Sequence, residues 1–451
     1  MKGQVMKTVI TYGTFDLFHE GHYRLLQRAK QQGTYLIVGV TTEYYDASRG
    51  KLNVVDSLME RIENVRKTGF ADEIIIEDHV GQKIEDIQKY KVDVFVIGSD
   101  WLGHFDYLEK YCKVVYLERT KDISSTMMRN QRYNILKIGV VGSGRIANRF
   151  VKESKYVSGI NVLGVFNPNV NSAQRFGEMH ELKIYTAVLK ELFAEVDAIY
   201  IASPHETHFD YAKQALLAQK HVICEKPMVL SESEAIELYE LAENQGCILF
   251  EGIKTAFCPG FIKLLNIVHS GVIGDVYDVE ACFTKLEKED NREMLDAKFG
   301  GSFLELASYP LLPIFKILGT NYESVYFRSF KNERDVDIYS KAHFEYKNAT
   351  ATVKVGLGVK SEGQLIISGT KGYILVDAPW WKTESFEVKF EDINLNEKYF
   401  EKYKGDGLRY EISEFMSMVN GNKKETFKLS KEETIAMARV MEKYLQFKNK
   451  I

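Results

Sequence analysis

The five cysteines of this 451-residue chain, at 112, 224, 247, 258 and 282, show no C-x-x-C spacing, and one is left over from any pairing. That argues against a zinc or disulfide framework and for buried, reduced thiols. No apolar run approaches the roughly 20 residues that span a bilayer. No apolar signal segment precedes the first strand-like run. Basic charge is not in excess, since 59 Lys and Arg face 63 Asp and Glu for a formal net charge of -4. The usual electrostatic reason for a nucleic-acid partner is therefore missing. A Pro/Gly/Ser-rich linker is also missing, so the folded units should join through short, ordered hinges. What is present is ordinary for a globular enzyme: 45% hydrophobic and 27% charged residues. The length suggests about three domains at roughly 150 residues each. A cytoplasmic enzyme acting on small molecules is expected, with neither nucleic acid nor membrane as partner.

Apolar strand runs at 9–12, 35–40, 73–76, 92–97 and 114–117 alternate with helical spacing at 22–32, 56–68 and 82–89. Such alternation predicts a parallel sheet covered by helices. A second βα rhythm begins at 135–141 and continues through 162–166, 198–201 and 222–224, with helices at 146–154, 172–178 and 208–218. Beyond about Pro259 the pattern changes to strands at 276–285, 341–346, 350–357, 364–368 and 373–376. These follow one another without helices, which predicts a largely antiparallel sheet. Helices at 408–419 and 431–447 close the chain. The fold class is α/β throughout the first two units and α+β in the last, with domains at 1–132, 135–258 and 259–451.

The first run leads into Gly13-Thr14-Phe15-Asp16 and then His19-Glu20-Gly21-His22. His19 and His22 are three apart at a predicted helix start, so both imidazoles can face one side of the first turn. A helix N-terminus attracts phosphate through its unpaired N–H groups and dipole. Gly98-Ser99-Asp100-Trp101 and the stretch from Arg119 to Thr126 each follow a later strand end, where ligands collect in open α/β sheets. Arg119 can grip phosphate bidentately, and Ser124, Ser125 and Thr126 can add hydrogen bonds or cap a helix.

In this order the motifs closely resemble those of glycerol-3-phosphate cytidylyltransferases, across residues 6–132. The resemblance implies that His19 and His22 contact the nucleotide phosphates and stabilise charge, while Asp100 and Trp101 lie near the base. It implies that Arg119, Ser124, Ser125 and Thr126 close over the triphosphate, and that a basic residue, here Lys51, contributes. Gly13, Thr14 and Phe15 would line the CTP site, with Mg²⁺ accompanying CTP. Asp122 departs from the family's usual glycine. The chemistry requires positioning and charge neutralisation as an acceptor phosphate attacks CTP and pyrophosphate leaves, with no covalent nucleophile. An adenylyltransferase is the alternative, because H-x-G-H is shared across that superfamily.

The second rhythm opens on Gly142-Ser143-Gly144-Arg145-Ile146-Ala147, a strand–turn–helix phosphate turn. At the next strand end Asn167 stands where an acid would select NAD, and Arg175 could attract a 2′-phosphate. NAD and NADP are both open. Further on come Ser203, His205 and His208, then Cys224-Glu225-Lys226-Pro227 at a strand end. Residues 135–451 resemble the glucose–fructose oxidoreductase and inositol dehydrogenase family, Gfo/Idh/MocA. The resemblance implies that Gly142, Gly144, Arg145, Ile146, Asn167, Ser203, His208, Glu225 and Lys226 bind the dinucleotide. Lys226 of the E-K-P motif would sit between cofactor and substrate, and Tyr309, following Gly300-Gly301, would be the acid/base. Glu305 and Ala307 depart from the family's Asp and Gly. A nearby ammonium lowers a tyrosine pKa, so Lys226 is expected to pull Tyr309 below its ordinary value.

The combination predicts a bifunctional homo-oligomeric enzyme with CTP, polyol phosphate and ketose or ketose phosphate as its small-molecule partners. Its product would be a CDP-activated polyol, of the kind used to build cell-surface polysaccharide or teichoic acid. The reductase would act on the ketose or its phosphate, or else on a CDP-linked product. The competing view keeps residues 135–451 as a catalytically inactive dinucleotide-binding or oligomerisation module.

Overall fold

The computed structural model describes residues 6–48, 54, 56–79, 81–118, 135–421 and 425–450. The chain forms two units, Met1–Ile135 with Tyr156–Asn161, and Leu136–Lys155 with Val162–Ile451.

In the first unit, β1 (Thr8–Gly13), β2 (Tyr35–Thr41), β3 (Glu73–Glu77), β4 (Val94–Gly98) and β5 (Lys113–Leu117) are ordered β3-β2-β1-β4-β5. All neighbours pair in parallel. The central strands are buried on both faces, which explains why their sequences are runs of Val and Ile without polar alternation. Val9 and Val38 pack with Leu26, Ile62 and Val65 on one face. Ile10 and Ile37 pack with Ile87 and Phe95 on the other. Helix Leu58–Lys67 starts at a capping box in which Ser57 and Glu60 satisfy each other's backbone N–H groups. The strand order reverses between β1 and β4, and ligands bind at such a switch point beyond the strand C-termini.

The second unit contains β6 (Leu136–Val141), β7 (Ile160–Phe166), β8 (Ile184–Thr186), β9 (Ala198–Ile201), β10 (His221–Glu225) and β11 (Leu249–Gly252). Their order, β11-β10-β9-β6-β7-β8, is the doubly wound dinucleotide arrangement, with its switch point between β6 and β9. An eight-stranded sheet follows, made of β12 (Val276–Thr284), β13 (Ser324–Lys331), β14 (Asp337–Glu345), β15 (Thr350–Gly356), β16 (Leu365–Gly369), β17 (Tyr373–Val376), β18 (Ser385–Lys389) and β19 (Glu397–Phe400). It runs β13-β14-β15-β12-β16-β17-β18-β19, antiparallel except where β12 lies parallel to β15. The largely antiparallel sheet expected is present, with one parallel pair that makes it formally mixed. β14 alternates buried and exposed residues along much of its length, as a sheet with one covered face requires.

Helices Ser302–Leu306 and Ser308–Leu318 pack on the covered side against β12, β14 and β15. Helix Leu408–Asn420 is fixed to helix Arg145–Ser154 by a buried, two-pronged ion pair, Arg409 Nε and Nη2 to Glu153 at 2.9 and 2.6 Å. Several elements were not foreseen, among them helices Glu43–Ser48 and Glu232–Gln245 and strands β8, β11 and β13.

Candidate active sites

The first site is built at the end of β1. The loop that follows holds Phe15 at φ 54° and Leu17 at φ 48°, a left-handed backbone that non-glycine residues adopt only when the surroundings impose it. Here they do. Phe15 is buried, Asp16 Oδ1 accepts from the Asp56 amide at 2.9 Å, and Asp56 accepts from the Leu17 amide at 2.9 Å. Thr14 Oγ1 donates to Asp46 at 2.9 Å. Fully buried Arg61 donates from Nη1 to the carbonyls of Thr14 and Thr41 at 2.9 and 2.6 Å. It donates from Nε to the Asp56 carbonyl at 2.9 Å. Neither Arg61 nor Asp46 was singled out in the sequence. A signal existed, since Arg61 falls on the apolar stripe of its helix with Leu58, Ile62 and Val65.

His19 caps helix Glu20–Lys30, and its Nδ1 accepts from the Gly21 amide at 3.0 Å. A neutral ring in that role carries its proton on Nε2. His22 follows in the first turn and stacks on it, with ring centroids 3.9 Å apart and planes at 21°. Phe15 and Phe18 lean on His22 at 5.4 and 5.5 Å. The two imidazoles therefore share one side of a helix N-terminus. Ser99–Trp101 makes a 3-10 turn beyond β4, across the switch point, with Trp101 43% exposed. The Asp100 side chain lies outside the described residues. So do Lys51, Arg119, Asp122, Ser124, Ser125 and Thr126.

The second site is a cavity of about 1110 Å³ in the second unit, lined by the Gly142 turn, the loop after β9, the end of β10 and residues from the eight-stranded sheet. Gly142 takes φ 100°, and a Cβ there would stand 2.6 Å from the Ala202 carbonyl oxygen. Only glycine lets β6 and β9 end this close together. Helix Arg145–Ser154 then presents its N-terminus and Arg145 to the cavity. Asn167 donates from Nδ2 to Ser143 Oγ at 2.8 Å and accepts from the Asn169 amide at 2.9 Å. It braces the glycine turn and carries no charge. Gly144, Ile146 and Ser203 line the same wall. Ser203 Oγ lies 2.7 Å from Thr207 Oγ1.

His208 is fully buried, with ring nitrogens 2.9 Å from the Pro227 and Ser203 carbonyls. Burial pushes its pKa down to about 4, against the help of those two carbonyls. Because a neutral imidazole has one N–H, only one contact is a hydrogen bond at a time. The ring ties the β9 loop to the E-K-P segment. Glu225, also buried, accepts from Tyr200 at 2.5 Å, and burial raises its carboxyl pKa.

Lys226 and Tyr309 meet in this cavity. Lys226 Nζ donates to the Glu305 backbone oxygen at 2.9 Å and lies 5.9 Å from the centre of the Tyr309 ring. The expectation that Lys226 lowers the Tyr309 pKa is not met. Burial, then the negative potential of Glu225 and Glu411, push it well above the ordinary value. The ammonium is turned to a carbonyl, and burial of the phenol dominates. Tyr309 is therefore held as a phenol, the form that gives a proton away. Glu305 lies 3.6 Å from His205, 3.9 Å from Lys226 and 3.8 Å from Arg292, while Arg292 forks onto Glu206 at 2.9 and 3.0 Å. Burial lowers the His205 pKa, so it faces Glu305 mainly as a neutral ring. Lys254, Phe283, Trp381 and Lys382 also line the cavity and were missed.

The geometry agrees with the comparisons. The Cytidylyltransferase-like family model matches residues 10–134. The model described as Oxidoreductase family, NAD-binding Rossmann fold matches 136–253, and the GFO/IDH/MocA C-terminal domain matches 261–375. The chain is 49% identical over 124 residues to a glycerol-3-phosphate cytidylyltransferase of Bacillus spizizenii, covering 28% of this chain and 95% of that protein. The N-terminal unit belongs to that family. Behind it stands a Gfo/Idh/MocA oxidoreductase, so the chain is a fusion of two enzyme families. Its oxidoreductase part is 24% identical over 318 residues to scyllo-inositol 2-dehydrogenase (NADP(+)) IolU of Bacillus subtilis, over 68% of this chain and 95% of that one. The same part shares the fold of KijD10, a 3-ketoreductase from Actinomadura kijaniata solved with NADP and TDP-benzene. The TM-score is 0.61 at 21% identity, over 68% of this chain and 96% of that one. The His19–His22 pair lies within the cytidylyltransferase-like match, and Gly142 and Lys226 lie within the NAD-binding match while Tyr309 lies within the C-terminal one.

Proposed function

We propose that the fusion makes a CDP-activated polyol, its three functional domains being 1–132, 135–258 and 259–451. The oxidoreductase part reduces a ketose, dihydroxyacetone or a phosphate of either. The transferase part joins the polyol phosphate to CMP. The observation that carries this reading is that Tyr309 and Lys226, whose Nζ lies 5.9 Å from the Tyr309 ring centre, meet in the cavity that also holds the glycine turn.

A bound NAD(P)H supplies hydride to the carbonyl carbon. Tyr309 gives its proton to the carbonyl oxygen, and Lys226 places positive charge beside the developing alkoxide. Gly142 and the helix N-terminus at Arg145 fit the pyrophosphate. Asn167 offers no negative charge against a 2′-phosphate, and Arg175 is nearby on the next helix, so NADP is the favoured cofactor. The NADP named with IolU and with KijD10 supports the same choice.

In the transferase, the stacked histidines and the dipole of their helix hold negative oxygens while an acceptor phosphate oxygen attacks the α-phosphorus and pyrophosphate departs. Among the described residues no three His, Cys, Asp or Glu side chains converge as a metal cage. The residues therefore suit a Mg²⁺ that arrives on the triphosphate and keeps phosphate and water ligands. The 49% identity to a cytidylyltransferase supports CTP over ATP.

Mass spectrometry of products from CTP, NADPH and a panel of keto compounds tests the reading. A CDP-polyol supports it. A nucleotide product with no reduced carbon, across the whole panel, removes the reductive half.

A further inference from the structure

Seven basic side chains line the oxidoreductase cavity against four carboxylates. Most of the excess is accounted for. Lys226, Lys285, Arg292 and Arg149 each have a carboxylate within ion-pairing distance, in Glu305, Glu287, Glu206 and Asp406. Arg145 opens the helix after the glycine turn and serves the dinucleotide side. Among the described residues Lys254 and Lys382 have no carboxylate partner at ion-pairing distance, and the hydride-transfer chemistry assigned to Lys226 and Tyr309 does not use them.

The fold brings these two lysines together. Thr255 Oγ1 donates to the Trp381 carbonyl at 2.7 Å, which joins the turn carrying Lys254 to the turn carrying Lys382. Trp380 Nε1 donates to the Cys282 carbonyl at 2.7 Å and fixes the second turn against β12. Trp381 then stacks on Phe283 with centroids 3.7 Å apart, and Phe283 meets Tyr309 edge-on at 5.1 Å. Tyr309, Phe283 and Trp381 thus follow one another along the cavity wall, and Lys254 and Lys382 line the same cavity from the two joined turns. Lys382 Nζ lies 5.5 Å from the centre of the Tyr403 ring, so it rests on an aromatic face and not on an acid.

The acids that face Lys254 are Glu225, Glu411 and Asp406. Asp406 is shared with Arg149, and Glu225 is engaged by Tyr200. Glu411 is fully buried, neither of its oxygens has a hydrogen-bond partner among the described residues, and burial raises its carboxyl pKa. Burial pushes the Lys254 pKa down despite these acids, and an entering anion would favour its ammonium form.

We propose that Lys254 and Lys382 form a subsite for a phosphate group on the keto substrate, so that the oxidoreductase part takes a phosphorylated ketone in preference to a free one. This rests on the reductive reading above. The phosphate is either a terminal monoester, which puts reduction before cytidylyl transfer, or the diphosphate of a CDP-linked ketose, which puts it after. Both present the same oxygens to the same two ammonium groups.

The test uses the full chain with NADPH and compares kcat/KM for dihydroxyacetone, dihydroxyacetone phosphate and a CDP-linked ketone, with longer ketoses and their phosphates as a second series. The expected preference for a phosphate-bearing substrate is on the order of 10²-fold, the scale of two charge-assisted contacts. Lys254→Met and Lys382→Met should each remove much of that preference, chiefly through KM, and Lys→Arg at either position should restore part of it. Preference for the monoester or for the CDP-linked compound supports the subsite and orders the two reactions. Equal kcat/KM for free and phosphorylated ketones overturns the subsite and leaves the reductive reading standing. An unchanged preference in both Met variants overturns the assignment of these lysines. If no ketone of either class is reduced, the reductive reading falls and takes this inference with it.

Discussion

The two sites are put together in opposite ways. At the proposed transferase site the described histidines of the motif, His19 and His22, lie in a single helical turn. Distant residues such as Arg61 and Asp46 pin the backbone beneath it through Thr14. At the proposed oxidoreductase site Tyr309, its neighbour Lys226 and the charged wall come from widely separated segments, and burial raises the pKa of the proposed proton donor. Among the described residues, the proposed first site rests on local geometry and the proposed second on what the second unit buries.

That contrast can be broken by substitution. Tyr309→Phe keeps the ring and its contact with Phe283 and deletes only the titrating proton. Ketone reduction should fall by roughly 10²–10⁴-fold with dinucleotide affinity nearly unchanged. Steady-state kinetics with fluorescence titration of NADPH measures both, and wild-type turnover would move the donor role to His205 or Glu305. His22→Ala should lower CDP-product formation on the order of 10²-fold, the usual loss for a preorganised charge-stabilising group. Pyrophosphate release measures it, and near-normal release in folded protein would end the assignment.

Arg61→Met sharpens the claim that distant residues support the first site. It leaves the Thr14, Thr41 and Asp56 carbonyls without their buried donor and should cost about 3–5 kcal/mol of first-unit stability, read as a lower denaturant midpoint. Reduction by the second unit should survive, and an unchanged midpoint would show that water or another donor replaces the guanidinium.

The smallest effect is on pH. The active form of Tyr309 in reduction is the phenol, and its pKa is raised, so loss of the proton begins above the ordinary tyrosine value of about 10. The reduction rate should hold level on the alkaline side until past that value. A decline centred well below it would mean that Lys226 does lower the tyrosine, as the sequence alone suggests.

Both sheets of parallel strands were readable because strands buried on two faces must be nearly continuous Val and Ile. The helix at Gln82–Lys89 and the strands at Ala198–Ile201 and Tyr373–Val376 have the bounds expected of them. Helix Ser308–Leu318 was not legible, since Pro310 and Pro313 argue against it. Burial of Leu311, Leu312, Ile314 and Phe315 outweighs the hydrogen bond lost at Pro313. β13 is an edge strand with no fully buried face, so its sequence gave only a weak alternation. At the sites, glycines and histidines announced themselves through spacing. The direction of the Tyr309 shift did not, because it depends on Glu225 and Glu411, which no motif places beside it. Lys254 and Lys382 were invisible for the same reason, their proximity being made by one hydrogen bond between remote turns.

The most direct test of two independent chemistries in one chain is a crossed assay, in which wild type, His22→Ala and Tyr309→Phe are each followed for pyrophosphate release from CTP and for NADPH oxidation by a keto substrate. The predicted result is a clean exchange. His22→Ala loses the first signal and keeps the second, and Tyr309→Phe does the reverse. Loss of both signals in either folded variant, or of neither in both, would contradict the division of labour between the two sites.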